Sequence, residues 1–273
     1  MIDLHLHTTA SDGTLSPTSL VRRAAAAGIT VLSVTDHDTT AGYDEASRAA
    51  RDCGVAVVPG IEITAVENST DVHILGYFID PRHAGLADFL VRQRADRLRR
   101  IATIAERLAA LGYPVDVEPL IQEASQSGSR SVGRPRLAAA LIAAGHVRDR
   151  DEAFDRLLGD GCPAFVARTG EAPEGVIRVI RAAGGIASLA HPGPLNRDHL
   201  IPRLAAAGLS ALEVCHGDHD AAAERHYRGL ADQHGLAVSG GSDFHGDDDR
   251  RACALGAVTL PHADFERLRS LVA

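Results

Sequence analysis

The chain has 273 residues, of which 45% are hydrophobic and only 4% aromatic, with no Trp. That suffices for one large α/β domain, or one domain carrying an insertion, with a core mainly of Ala, Leu, Val and Ile. A formal net charge of −8 argues against a protein that coats nucleic acid non-specifically, and no apolar run is long enough to span a bilayer. All 28 basic residues are Arg, which reads as codon bias rather than function. Cys53, Cys162, Cys215 and Cys253 are far apart and form no Cys-x-x-Cys, so they read as thiols of a reducing compartment, not as disulfides or a zinc knuckle. No signal-peptide pattern is evident. The expectation is a cytoplasmic protein with no membrane contact and no obligate protein partner.

In chain order, the opening run from Ile2 to Leu6 reads as a strand. His5 and His7, at spacing i and i+2, share one of its faces, and Asp12 follows in the loop. Pro17 to Ala27 reads as a helix, with Ser16 as N-cap, Pro17 in the first turn and Gly28 as its stop. Val31 to Thr35 is a buried strand stopped by Asp36-His37-Asp38. Tyr43 to Asp52 is a helix, and Val55 to Val58 a strand followed by Pro59-Gly60 and Glu62. Val72 to Phe78 is strand-like and contains His73. The alternation is that of βαβ units with parallel strands.

The rhythm breaks near Pro81. Ala84 to Leu111 has a long helical pattern, with Leu86, Phe89, Leu90, Ile101, Ile104, Ala105 and Leu108 at apolar spacing. Arg92, Arg94, Arg97, Arg99, Arg100 and Arg107 lie along it. Residues 115–165 continue with short helices and a polar linker at 125–129. Residues 82–166 therefore read as an inserted, mostly helical cap on a body made of 1–81 and 167–273. The body resumes with a helix from Glu174 to Ala183 and a strand from Gly185 to Ala190 that ends at His191-Pro192. Next come a helix from Leu200 to Ala207 and a strand from Ala211 to Cys215, ending near His216. A helix from Asp220 to His234 leads to a strand from Ala237 to Ser239, which runs into Gly241-Ser242-Asp243-Phe244-His245. A late strand, Ala254 to Thr259, and a short helix close the chain.

The chemistry lies in where the His, Asp and Glu residues fall. His5, His7, His37, Glu62, His191, Asp243 and His245 lie at, or just after, C-terminal ends of these strands; His73 lies early in its own. In α/β barrels those ends converge on one face. Imidazole with carboxylate suits zinc, manganese and iron, and the lack of Cys there argues against a thiolate site. Taken singly, each residue has an ordinary reading. His73 can be a core histidine, Asp36 and Asp38 turn formers, Asp243 an N-cap and His191 a loop residue. Together they point to a multinuclear metal site.

These residues resemble the PHP (polymerase and histidinol phosphatase) superfamily. The likeness is carried, in order, by His5-Leu-His7 with Ser11-Asp12-Gly13, Thr35-Asp36-His37-Asp38, Pro59-Gly60-Ile61-Glu62, His73, Ala190-His191-Pro192-Gly193 and Gly241-Ser242-Asp243-Phe244-His245. Within it the chain is similar to bacterial nucleoside 3′,5′-bisphosphate phosphatases that also shorten RNA from the 5′ end. That nearer likeness rests on Ser11-Asp12-Gly13, on Arg97-x-x-Arg100 and on Gly133-Arg134-Pro135. The resemblance implies a distorted (βα)₇ barrel and two or three divalent ions, Mn²⁺ foremost and Zn²⁺ or Fe²⁺ as alternatives. By position, His5, His7, Glu62 and Asp243 would hold one ion. Glu62, His73 and His191 would hold a second, with Glu62 bridging, and Asp12, His37 and His245 a third. In one departure, similar sequences often read His-Pro-Gly-Arg where this chain has Pro194; Arg197 is near, at a different spacing.

The implied activity is hydrolysis of nucleoside 3′,5′-bisphosphates, releasing the 3′-phosphate, with 5′→3′ trimming of short 5′-phosphorylated RNA. His5, His7, Glu62 and Asp243 would act through a hydroxide whose pKa the ions bring toward neutrality. Arg97 and Arg100 share a helix face and, with Arg134 in a short loop, would hold the second phosphate. Arg92, Arg99 and Arg107 read as the solvated side of the same helix. Asp36 and Asp38 read as supporting residues. His216 reads first as an ordinary surface-loop histidine, and second as a general acid. The alternatives are a histidinol-phosphate-type small-molecule phosphatase, and a non-catalytic PHP binding module.

Overall fold

The computed structural model describes residues 1–127, 131–246 and 255–272; Cys253 and Ala254 lie outside them. The chain begins with β1 (Ile2–Leu6), α1 (Pro17–Ala26), β2 (Val31–Val34) and α2 (Tyr43–Cys53). Local signals set these limits. The Ser16 hydroxyl accepts the Ser19 amide at 3.2 Å, Pro17 enters the first turn, and Gly28 takes a left-handed φ of 86° after the last turn of α1. Leu20, Val21 and Ala24 form the buried stripe of α1.

β3 (Ala56–Glu67) and β4 (Thr70–Tyr77) follow. Here the structure corrects the sequence reading. Pro59 does not end β3. It is the last residue paired with β2, and Gly60 is the first paired with β4, so the proline's missing amide falls where the strand changes neighbour. β3 continues to Glu67 and turns through Asn68 and Ser69, both with positive φ (49° and 65°). Such a two-residue turn makes a tight hairpin. β4 is therefore antiparallel to β3, and also to β5, rather than parallel. A reversed strand brings its beginning to the rim where its neighbours end, which is why His73 sits early in β4.

Helices α3 (Ala84–Ala110), α4 (Glu118–Ser127), α5 (Arg134–Ala143) and α6 (Arg150–Ala153) come next, with a wide helical turn at Phe154–Leu158. The expected linker at 125–129 is partly helix, because α4 runs to Ser127; residues 128 and 129 lie outside the described part. The remainder is α7 (Pro173–Ala182), β5 (Ile186–Leu189), α8 (Pro192–Leu195), α9 (Ile201–Ala206), β6 (Ala211–Cys215), α10 (Ala221–Gln233), β7 (Ala237–Gly240) and α11 (His262–Arg269). Among the described residues the expected late strand is not formed: residues 255–258 are turns and bends, and Thr259 has no regular structure.

Among the described residues the sheet has seven strands in the order β1 to β7. Leu6 bridges Phe244 beyond β7, with the His7 amide donating to the Phe244 carbonyl at 3.0 Å, so the sheet nearly closes into a barrel. One core joins the strands to the helices after β4, through Leu4, Ile61, Ile74, Ile177, Ile180 and Leu212. A second packs α1 and α2 against β1 and β2 through Leu6, Leu20, Leu32 and Phe244. A third lies among α3 to α6, through Ile104, Leu108, Leu137, Leu141 and Leu158. Each such buried side chain contributes roughly 1.5–3 kcal/mol.

Candidate active site

The strand rim opens into a cavity of about 490 Å³. β1 carries His5, and His7 follows its last residue; both are fully buried at the cavity floor. The next loop is folded back tightly, and a side chain at Gly13 would meet the His7 carbonyl carbon at 2.5 Å. Asp36 fastens this loop: it accepts the Thr8 amide at 2.7 Å, the Thr8 hydroxyl at 2.6 Å and the Ser11 hydroxyl at 2.7 Å. Asp36 thus supports the loop that presents Asp12. At the opposite closure, a side chain at Gly241 would meet the His5 amide nitrogen at 2.3 Å, so only glycine lets the Gly-Ser-Asp turn approach β1.

Glu62 is the centre of the cluster. Its Oε2 lies 3.3 Å from His5 Nε2, 3.3 Å from His7 Nε2 and 3.1 Å from His37 Nδ1. Its Oε1 lies 2.8 Å from His73 Nδ1 and 3.3 Å from His191 Nε2. Asp243 Oδ1 sits 3.2 Å from His5 Nε2 and 3.0 Å from His7 Nε2. Asp12 lies 3.4 Å from His245 Nε2 and 3.9 Å from His37 Nε2. The structure thus brings together all the His, Asp and Glu positions read from the strand ends. His5, His7, Glu62 and Asp243 form one group able to hold an ion, His37, Glu62 and His73 another, and His7, Asp12, His37 and His245 a third.

The donor set fits divalent cations on a direct observation. Both ring nitrogens of His7, Nδ1 of His37, Nδ1 of His73 and Oδ1 of Asp12 are buried with no hydrogen-bond partner. Each such group forfeits about 1–3 kcal/mol unless something else satisfies it. Lone pairs crowded at about 3 Å without hydrogen-bond geometry are a donor set suited to a divalent cation. Burial opposes charge throughout: it prevails at His37, which it lowers to about 3, while attraction prevails at Glu62, Asp243 and His7. The surrounding imidazoles, His37 and His73 first, hold Glu62 well below the usual carboxylate range, and His5 and His245 do the same for Asp243. Against burial, Asp243 and Glu62 raise His7 to about 10. Imidazole ligates only when neutral, so cation binding must displace such a proton. Asp38, His191 and Asp243 also hold positive φ angles (52°, 27° and 53°), strain concentrated at the rim.

Two buried residues escaped the sequence reading. Glu213, in mid-β6, places Oε1 2.9 Å from His5 Nδ1 and accepts the His191 amide on Oε2 at 2.7 Å. A lone carboxylate inside the apolar run Ala-Leu-Glu-Val-Cys was the available signal. Arg168 lines the cavity and lies 3.4 Å from Asp38 Oδ2; no sequence pattern marked it. His216 corrects an expectation, being buried rather than an ordinary surface histidine. Its Nδ1 accepts the Asp218 amide at 3.1 Å, so the neutral ring carries its proton on Nε2. That Nε2 is 3.6 Å from Asp243 Oδ2 and has no hydrogen-bond partner.

The facing wall is made of guanidinium groups. Arg97 Nε donates to Asp38 Oδ2 at 2.5 Å and its Nη2 to the Thr64 hydroxyl at 3.0 Å. Asp38 is therefore an ion-pair partner, not a turn former alone, and Arg97 is anchored rather than wholly available. Arg100 Nε donates to the Val166 carbonyl at 2.8 Å. Arg134 is the first residue of α5, not a loop residue, and Nη1 donates to Asp160 at 2.8 Å. Arg100 and Arg134 stack over the Phe165 ring at 5.7 and 5.5 Å. Pro194 lines the cavity, while Arg197 donates to the Thr70 hydroxyl at 2.8 Å. Arg99 pairs with Asp96 in solvent.

Known proteins resemble this chain. Residues 3–133 match the model of the PHP domain. A 3′,5′-nucleoside bisphosphate phosphatase of Chromobacterium violaceum is 35% identical over 249 residues, covering 89% of this chain and 87% of that protein. A 5′-3′ exoribonuclease of Haemophilus influenzae is 37% identical over 249 residues, covering 89% of each. A solved structure from Bifidobacterium adolescentis, described as a metal-dependent phosphoesterase, superimposes with a TM-score of 0.90 at 31% identity over 100% of this chain and 96% of that one.

Proposed function

Because the chain belongs to the PHP family and is a metal-dependent phosphoesterase, we propose that it acts on nucleoside 3′,5′-bisphosphates, releasing the 3′-phosphate, and trims short 5′-phosphorylated RNA from its 5′ end. The carrying observation is that one cavity has a wall of metal-ligand type opposite a wall of Arg97, Arg100, Arg134 and Arg168. Such a site can hold one phosphate for reaction and a second for recognition. The relatives named above support the nucleotide and RNA classes.

When bound, two or three divalent ions, Mn²⁺ foremost, supply Lewis acidity and an activated water. His5, His7, Glu62 and Asp243 would hold one ion, Glu62, His73 and His191 a second, and Asp12, His37 and His245 a third. Asp36 keeps the Asp12 loop closed, and Glu213 fixes the His5 ring. His216, on the cavity wall with its Nε2 beside Asp243, would supply a proton to the leaving oxygen. In this reading residues 1–81 and 167–273 form the metal-binding body, and the helical insertion, 82–166, supplies the recognition of the second phosphate.

The test compares phosphate release from adenosine 3′,5′-bisphosphate with release from a nucleoside 5′-monophosphate, with Mn²⁺ added. Arg134→Ala and Arg100→Ala should raise KM for the bisphosphate about 10-fold or more while changing the monophosphate little. Equal losses on both substrates would point instead to a small-monoester phosphatase. Protein purified without chelator that holds no transition metal would sink the enzymatic mechanism.

A further inference from the structure

Asp71 stands between the two walls. It precedes His73 by two residues on β4, so both side chains leave the same face of the strand and both line the cavity. Its Oδ2 lies 3.7 Å from Arg100 Nη1 and 3.7 Å from Arg134 Nη2. Those separations pair charges without forming hydrogen bonds. The contrast with Asp38 is informative. Asp38 is fully buried and spends its oxygens on Arg97, Arg168 and the Thr64 amide. Asp71 lines the cavity with its side chain 23% exposed and has no hydrogen bond to either guanidinium.

A carboxylate is costly in a pocket for anions, because it repels the phosphate that the guanidiniums attract. It is also an acceptor with no proton to give, so the substrate group it suits is a donor. In a nucleoside 3′,5′-bisphosphate both the 3′ and the 5′ oxygens are esterified, and the sugar between them retains one hydroxyl, the 2′. With one phosphate at the metal wall and the other at Arg100 and Arg134, the sugar spans the gap where Asp71 lies; the base projects away from this line.

We propose that Asp71 accepts a hydrogen bond from the substrate 2′-hydroxyl and so makes the site select ribonucleotides over deoxyribonucleotides. The inference rests on the bisphosphate reading given above.

The experiment measures kcat/KM for adenosine 3′,5′-bisphosphate and its 2′-deoxy analogue on the same preparation of full-length, Mn²⁺-loaded protein. Inactive protein then cancels in the ratio. The wild type should favour the ribonucleotide by about 10- to 100-fold, the range for a hydrogen bond to a charged acceptor. Asp71→Ala should bring the ratio close to one. Asp71→Asn, which keeps an acceptor oxygen, should retain part of the preference. A wild-type ratio near one overturns the inference and leaves the bisphosphate reading intact. A preference unchanged in both variants also overturns it, leaving Asp71 as a counter-ion for Arg100 and Arg134. Failure of the wild type to hydrolyse either bisphosphate overturns both readings together.

Discussion

The two walls of the cavity follow opposite rules. The strand-end wall leaves its polar atoms bare: His7, His37, His73 and Asp12 carry buried nitrogens or oxygens with no hydrogen-bond partner. The helical wall pairs its charges in advance, Arg97 with Asp38 and Arg134 with Asp160. A cation site must keep ligand lone pairs free and close together, which brings like-charged groups near one another. An anion site built from guanidinium groups can share each group with a resident carboxylate and still attract a phosphate through the remaining N–H donors.

The contrast can be broken most severely at its buried end. His5→Ala should lower turnover by about a thousand-fold or more, through lost metal-ion charge stabilisation. It should also reduce bound metal, with the circular dichroism spectrum unchanged; retained activity would refute the role given to this ring. Next in size is Asp38→Ala, which strands Arg97 and Arg168 without their shared anion. Breaking a buried pair from one side costs about 3–5 kcal/mol, measurable as a lower urea midpoint. A midpoint equal to the wild type would show that the helical wall does not depend on its internal pairing. Glu213→Gln should weaken metal binding by about 10- to 100-fold, as expected for an outer partner of a ligating histidine. Calorimetric titration with Mn²⁺ would read this apart from catalysis. Smallest of all, Arg99→Ala should change stability by less than about 0.5 kcal/mol and leave KM for the bisphosphate unaltered. A clear KM effect there would extend the anion site to the outer face of α3.

The difference between the walls also governs what was legible beforehand. Several of the cluster residues announce themselves, because they sit beside a local stop such as Asp36-His37-Asp38 or Gly241-Ser242-Asp243; Glu62 and His73 lie inside β3 and β4. Helix limits were equally local: Ser16, Pro17 and Gly28 bound α1 by their own backbone preferences. Strand neighbours were not. Pro59-Gly60 reads as a terminator, and only the handover from β2 to β4 shows why the strand survives it. Glu213 acquires meaning from His5, 208 residues away in sequence and two strands round the barrel closure. The pairing of Arg97 and Arg168 with Asp38 likewise joins residues 59 and 130 positions apart, beyond any local pattern.

The Asn68-Ser69 turn has a consequence for how the molecule assembles. It joins β3 and β4 through two residues, so the eight residue pairs from Gly60–Tyr77 to Glu67–Thr70 form with almost no loop to close. Loop-closure entropy then favours this ladder over every pairing that must wait for a helix crossover. Glu62 and His73 would already be neighbours in the nascent chain, before the Arg-bearing helices exist. In pulse-labelled hydrogen exchange the amides of residues 60–77 should gain protection ahead of those of β5 to β7; simultaneous protection would remove the hairpin from the start of folding. On this order the chain prepares half of its cation site as a local event, and recruits the rest by long-range closure.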